Sequence, residues 1–428
     1  MPNQSSRMER SVIICFMFED NGMHAEKEVP GNNVRKRLRI AIVGGGGRTT
    51  SFLHYFSQNP TDGEIVGISD VVPDKARVLA KMYGVKTEFF DSTEKMLEVT
   101  APDAIIICTP DYLHAEPAIL GLKRKIHVFC EKPMSTTLED CDAVIEAAKK
   151  SSAIFYLGFN LRHGPVHETI HELITSGRLG KVTTIEANEC YYGGKTYFRR
   201  WNRFKKFGGG LWITKACHDF DLLNWMAGAD PDTVFATASL SHYHAKPKAG
   251  KQCRACALQF ECPDYFDTFN ARPSENEQLW KEFRMVVEKN GQEPTDLCLY
   301  SSEKDTFDNG IAVVTYKNDI RTCYTVSVLA ARSTRQMVVI GTEGMAEGDM
   351  SKGIITVTER HNGRQFVYDL QDMMRSGHGG ADDRMVKDFL HTIHTGKKPR
   401  SSWAEGRLAV LVGLAARESS ETGKVIKL

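Results

Sequence analysis

"LRIAIVGGGGRTT", residues 38–50, decides the fold. A short apolar run stops at four glycines, and a segment with helical spacing, "TTSFLHYFSQN", follows. The turn reads G-x-G-x-x-T, with Gly44, Gly46 and Thr49 at the marked positions. The first glycine permits a tight turn, and the second lets backbone approach a pyrophosphate. Gly47 and Arg48 complete the turn, where a helix N-terminus offers free N–H groups and partial positive charge to an anion. Threonine at the third position loosens helix–strand packing slightly. Asp70 ends the next strand, "EIVGISD". A carboxylate there accepts hydrogen bonds from a ribose diol. It would repel a 2′-phosphate, and no Arg or Lys follows it immediately in "DVVPDK", so NAD is favoured over NADP.

The alternation continues outward from this turn. "PDKARVLAKMYG" is a helix with Pro at its first turn, and "DAIIICTP" is a continuous apolar strand of the kind a covered parallel sheet needs. "DYLHAEPAILGLKRK", "IHVFCEKP", "TLEDCDAVIEAAKKS" and "AIFYLGF" extend the series. The pattern predicts an α/β chain with an N-terminal Rossmann domain over residues 38–158, a doubly wound parallel sheet. After residue 160 the rhythm changes. One helix, "PVHETIHELITSG", precedes strand-like segments with period near two, from "VTTIEANECYY" to "RQFVYDL". Residues 159–428 therefore read as an α+β domain with a large, mainly antiparallel, open sheet, closed by the helix "AEGRLAVLVGLAARESSETG". Residues 242–300 form an insertion within it. Residues 1–37 read as a poorly ordered extension, or as a start placed ahead of the true one at Met8 or Met23.

Net charge is +1, from 55 basic and 54 acidic residues, which argues against nucleic acid or an anionic membrane as partner. The longest apolar runs fall well short of the ~20 residues of a membrane helix. Eleven cysteines, an odd number, mostly sit singly in apolar segments, as Cys108, Cys130 and Cys190 do. That pattern fits a reducing, cytoplasmic compartment better than a disulfide framework. Cys253, Cys256 and Cys262 in "CRACALQFEC" are the exception. Their spacing predicts a structural zinc or iron–sulfur site, with Cys298 as fourth ligand and His242 or His244 behind it. The site would tether the insertion, which would shape the substrate mouth.

Thr109, Pro110 and His114 in "CTPDYLH", and Glu131 and Lys132 in "EKP", fall at the carboxyl edge of the first sheet, where open α/β sheets bind ligands. Pro133 fixes the backbone after Lys132, so the lysine is aimed at the nicotinamide. "GGGLWITKACHDFDLLNW", residues 208–225, places Lys215, His218 and Asp221 at intervals of three, near one helical face.

These stretches, with "GFNLR", occur in an order and at separations that resemble the Gfo/Idh/MocA oxidoreductases (glucose–fructose oxidoreductase, inositol dehydrogenase, rhizopine catabolism) from about residue 38 to 425. The resemblance implies that Lys132 and His218 serve the chemistry. The family's usual aspartate falls at Thr214, so the Asp–Lys–His trio is not intact, and Lys215 beside that slot is the candidate to take over part of its role. "YFRRWNR", "TKACH" and "GHGGAD" resemble one subgroup. Asn160, Arg162, Arg200, Trp201, Thr214, His218 and His378 become substrate-side candidates, since an aromatic with arginines suits a sugar face. Asp221 is a helper or structural partner.

Oxidising a secondary alcohol with NAD moves a hydride to the nicotinamide and a proton to a base. Histidine suits the base, and a nearby ammonium stabilises the developing alkoxide. The leading expectation is a hydride transfer from a sugar, polyol or glycoside hydroxyl to NAD. A redox-neutral glycoside cleavage through a 3-keto intermediate, and a catalytically silent NAD- or sugar-sensing regulator, are the alternatives. By resemblance, the chain forms dimers or tetramers.

Overall fold

Six strands make the first sheet: β1 (Leu38–Val43), β2 (Gly63–Ser69), β3 (Glu88–Phe90), β4 (Ala104–Ile107), β5 (His127–Cys130) and β6 (Phe155–Leu157). All pair in parallel, in the order β3-β2-β1-β4-β5-β6. The order reverses between β1 and β4, so the ligand-binding crevice opens above their carboxyl ends. All four β4 residues are buried, as their unbroken apolar run requires. Local signals start the helices. Pro73 opens Pro73–Met82, and the Ser92 and Thr137 side chains accept hydrogen bonds from the backbones of Lys95 and Asp140. This computed structural model describes residues 37–268, 275–374 and 377–428. The expectations for residues 1–37 therefore lie outside the described residues, Arg37 excepted.

Nine strands make the second sheet: β7 (Val182–Cys190), β8 (Pro231–Ser239), β9 (Asn309–Tyr316), β10 (Arg321–Ser327), β11 (Thr334–Gly341), β12 (Gly344–Asp349), β13 (Ile354–Glu359), β14 (Gln365–Asp369) and β15 (Ile426–Lys427). Their order is β14-β13-β12-β11-β7-β10-β9-β8-β15, antiparallel except for the β7–β10 pair. One face carries the core, with Ile185, Val234, Val314, Tyr324, Val339 and Val357. The other leaves Phe235, Ile311, Val313 and Ile340 exposed.

Two helices of the second half return to the first sheet. Ala381–Thr395 sends Met385, Val386, Phe389 and Leu390 into the core built on Phe52, Ile106, Phe129 and Tyr156. Trp403–Thr422 places Ala409 and Val410 in the core on the other face, while its Val412, Ala415 and Ala416 join the second domain's core. The two lobes thus share packing that the chain order does not suggest. None of the helices among the described residues is long and apolar enough to cross a membrane.

The insertion departs from expectation. Its helix Glu275–Lys289 lies on Pro73–Met82 of the first domain, where Trp280 and Phe283 pack at the edge of the core and Lys81 pairs with Glu282 at 3.4 Å. Among the described residues no three His, Cys, Asp or Glu side chains gather to hold a metal. Cys253 faces the Arg199 guanidinium at 3.7 Å, Cys256 accepts from the Gly250 amide at 3.3 Å, and Cys298 accepts from the Ser301 amide at 3.4 Å. Cys262 packs at the edge of a separate apolar cluster, and His242 faces Tyr300. The four cysteines expected as ligands are thus not gathered at one point among the described residues. The tether is ionic: Arg254 reaches Glu288 at 2.8 Å and Asp296 at 2.9 Å, and Arg203 holds Glu293.

Arg162, just past β6, donates to both oxygens of Asp221 on Cys217–Ala227 at 2.8 and 2.7 Å, and to the Arg400 carbonyl at 3.1 Å. Both partners are buried, so removing one charge strands the other. Asp221→Asn should lower unfolding free energy by about 3 kcal/mol, measured by urea titration.

Candidate active site

Gly44 adopts φ +102°, and a Cβ there would come within 2.7 Å of the Cys108 and Thr109 backbone. Only glycine fits that approach of β1 to the end of β4. Gly46 and Gly47 face open space, with nothing within 4 Å of a Cβ at Gly47. Thr49 fills the third glycine's place without loss: it is buried, and its hydroxyl donates to the Gly44 carbonyl at 2.6 Å. Asp70 accepts from the amides of Gly45 and Val72 at 2.7 and 2.8 Å. It also pairs with Lys75 at 3.1 Å. Lys75 is not adjacent to Asp70 in sequence, but the first turn of Pro73–Met82 brings its ammonium back to the carboxylate. Gln292 of the insertion lies 3.5 Å from the same ammonium.

Arg48 does not stay in the turn. It donates to Glu131 at 2.6 Å and to both oxygens of Asp382 at 3.1 and 3.0 Å. Asp382 also receives Asn160 at 2.8 Å and His378 at 2.8 Å. Burial would raise the Asp382 carboxyl, but His378 and Arg48 hold it far below the usual range. Arg48, Glu131, Asn160 and His378 therefore form one network that ties the cofactor turn to the start of Ala381–Thr395. Asp382, its hub, stands in the quoted "GHGGAD" but was not singled out.

The end of β5 and the Gly208–Trp225 stretch meet across the lobes. Lys132 donates to the Thr214 carbonyl at 2.8 Å. One helical turn on, His218 is buried, with Nδ1 lacking a hydrogen-bond partner among the described residues. Burial, then the charges of Lys132, Arg335, Lys215 and His378, push its proton affinity well below the ordinary histidine value. His218 is held neutral, the form that accepts a proton. His114 bridges the Pro133 carbonyl at 2.6 Å and the Thr109 carbonyl at 3.0 Å, locking the loops that carry Pro110 and Lys132.

Lys215 points elsewhere. It donates to Glu189 on β7 at 2.6 Å and lies 4.8 Å over the Tyr191 ring. Arg335 on β11 joins Glu189 and takes Asp219 at 3.0 Å, and the Tyr324 hydroxyl donates to Asp219 at 2.8 Å. Lys215 is thereby neutralised within the second domain. Glu189, Asp219 and Arg335 sit far apart in sequence, and no spacing could have joined them. Arg162 is likewise committed to Asp221. Trp201 fares differently: its ring lies 6.4 Å from Tyr112, which in turn lies 4.9 Å from Phe207. This aromatic group joins both lobes beside exposed Arg200.

Family models described as "Oxidoreductase family, NAD-binding Rossmann fold" and "Oxidoreductase family, C-terminal alpha/beta domain" match residues 38–159 and 171–428. The chain belongs to the Gfo/Idh/MocA oxidoreductase family. Among Gfo/Idh/MocA relatives, YteT of Bacillus subtilis (strain 168), an oxidoreductase by name, is 28% identical over 366 residues, covering 77% of this chain and 82% of its own. Myo-inositol 2-dehydrogenase of Thermotoga maritima is 26% identical over 395 residues, covering 91% and 98%. Levoglucosan dehydrogenase, solved with NADH and levoglucosan, superposes with a TM-score of 0.72 at 17% identity over 92% of this chain and 99% of its own, a likeness of fold. In the glycine turn after β1, Gly44 leaves no room for a side chain and Gly47 faces open space, and Asp70 directly follows β2.

The Glu189 cluster carries a pH signature. Burial would raise its carboxyl, but Arg335 and Lys215 override this and hold it below its ordinary value. A carboxyl depressed in the folded state stabilises fully above its unfolded value, here 4.5, and loses that share as the pH falls below it. Glu189→Gln should cost about 3 kcal/mol at pH 7 and should flatten the loss of stability seen on acidifying the unmodified chain below pH ~4.5, both read from urea curves.

Proposed function

We propose that this chain transfers a hydride from a secondary hydroxyl of a sugar, polyol or glycoside to NAD. The observation that carries the reading is the meeting of Lys132 and His218 from separate lobes at the carboxyl edge of the first sheet, with Lys132 on the carbonyl one turn ahead of His218. Bound NAD supplies the hydride acceptor. Gly44–Thr49 would hold its pyrophosphate, and Asp70 the adenosine ribose. Lys132 places a positive charge where alkoxide character develops, and buried, neutral His218 accepts the hydroxyl proton. Tyr112, Trp201 and Phe207 offer flat faces for the carbon side of a sugar ring. The names of the relatives, myo-inositol 2-dehydrogenase and levoglucosan dehydrogenase, support a polyol or sugar as substrate class.

The same reading makes the protein a homo-oligomer. Phe235 and Val313 sit opposite each other across β8 and β9, with Ile311 two residues away, as an exposed apolar stripe on the open sheet.

Turnover on a panel of polyols, sugars and aryl glycosides should accumulate NADH stoichiometrically with the oxidised product. Aglycone release with no net NADH would overturn net oxidation. His218→Asn should retain NADH binding and lose turnover by about 10³-fold; undiminished turnover would remove His218 as base.

Asp70 favours NAD, and Lys75 tempers that preference by neutralising the carboxylate. Lys75→Ala should shift the NADP-to-NAD affinity ratio toward NAD by about tenfold, the effect of about 1.4 kcal/mol, measured by titration calorimetry with both cofactors.

A further inference from the structure

Residues 199–206 carry five cations, and three of them have partners. Arg199 donates to the backbone carbonyls of Leu297 at 3.0 Å and Asp264 at 2.6 Å, both in the insertion. Arg203 holds Glu293, and Lys205 pairs with Glu421. The guanidinium of Arg200 and the ammonium of Lys206 make no ion pair or hydrogen bond among the described residues. Lys206 lies 4.5 Å over the Phe207 ring.

Arg200 has extended backbone, with φ −125° and ψ 173°. Its side chain therefore leaves on the side opposite to Arg199, away from the insertion. It is exposed to solvent, yet the surrounding protein desolvates its guanidinium enough to lower its proton affinity, and no carboxylate offsets this. A cation that is both exposed and desolvated lies in a concavity, not on a convex surface. The concavity is the cleft between the lobes. Lys205–Gly208 packs on Asp111–Leu113, the turn after β4, and Trp201 and Phe207 both meet the Tyr112 ring there. Asn202 stands deeper. It is 8% exposed, and its Oδ1 is buried with no hydrogen-bond partner among the described residues. A Cβ on Gly208 would lie 3.3 Å from the Cβ atoms of Asn202 and Thr214, so Asn202 neighbours the residue whose carbonyl receives Lys132. A buried oxygen without a donor is costly, and a hydroxyl arriving with substrate would supply one.

We propose that the sugar taken by this site is an acid: Arg200 binds a carboxylate on the ring while Asn202 accepts from one of the ring hydroxyls. The inference deepens the NAD-dependent reading above and rests on it. A guanidinium fork matches a carboxylate with two parallel hydrogen bonds. A neutral polyol would cover the Arg200 charge without answering it, and stripping water from an unpaired cation is costly. Lys206, at the Phe207 end of the same aromatic group, adds positive potential that draws an anion toward the cleft. The unpartnered oxygen of Asn202 selects a donor, which a sugar hydroxyl is and a second carboxylate is not.

The test compares NAD reduction by the full-length chain on matched pairs: the methyl glycosides of glucose and glucuronic acid, and of galactose and galacturonic acid. The acid should be preferred in kcat/KM by about tenfold or more in at least one pair. Arg200→Leu should lower that acid-to-neutral ratio by about tenfold, through KM and not kcat, and Arg200→Lys should recover part of it. The KM for the acid should also rise with ionic strength. A merely structural role for Arg200 would lower both members of a pair together. Preference for the neutral members, or an unchanged ratio in Arg200→Leu, overturns the inference and leaves the NAD-dependent reading standing. Preference for glucose 6-phosphate over both acids overturns the carboxylate assignment. If no member of the panel is oxidised, calorimetric titration of the two acids into the NADH-loaded chain decides. Binding that Arg200→Leu weakens about tenfold supports the role of Arg200 while the hydride-transfer reading fails, and absence of binding overturns the inference.

Discussion

The contact between the Lys132 ammonium and the Thr214 carbonyl is the constraint around which the site is organised. It crosses from one lobe to the other and uses backbone as its acceptor, so it survives any choice of side chain at 214. It brings a fixed positive charge to the turn that leads into the Cys217–Ala227 helix. That charge, with burial, keeps His218 neutral. Removing the contact would leave the imidazole and the ammonium on lobes with no common reference.

The two lobes are also joined by ion pairs. Arg48 spans from the glycine turn to Glu131 and Asp382, and Arg162 clamps Asp221. Buried pairs of this kind add little net stability over apolar packing, but they specify one arrangement, because any slip leaves a charge unpaired. Here they specify the distance between the cofactor turn and the helices of the second domain. The Glu189–Lys215–Arg335–Asp219 cluster does the same between β7, β11 and Cys217–Ala227.

The first domain was almost wholly legible. Its central strand β4 is an unbroken apolar run and most of its helices begin at Pro, Ser or Thr, so local signals and tertiary packing agree. The second domain was legible as a set of strands, although "RQMVVIGTEGMAEGD" divides into β11 and β12 at a two-residue turn. The Ala381–Thr395 helix went unread in the sequence analysis, although Met385, Val386, Phe389 and Leu390 recur at helical spacing. The Glu275–Lys289 helix was equally visible in Leu279, Trp280, Phe283 and Val286, but the cysteines nearby drew the reading toward metal. Lys132 and His218 stood out in the sequence because each sits in a distinctive short stretch. Glu189, Arg335 and Lys75 were not, because their partners are chosen by the sheet register and the helix turn, which composition does not report. Lys215 and Arg162, expected on the catalytic and substrate sides, are held by Glu189 and Asp221, anions that no spacing in the sequence connects to them.

The insertion has a mechanical consequence. A helix rooted in the second lobe leans on the Pro73–Met82 helix of the first, braced by Arg254 and Arg203 at its base. Rigid rotation of the lobes about their shared helices would drag this strut across its neighbour, shearing Trp280 and Phe283 from their seat. Motion between the lobes is therefore coupled to sliding at this second surface, remote from Lys132 and His218.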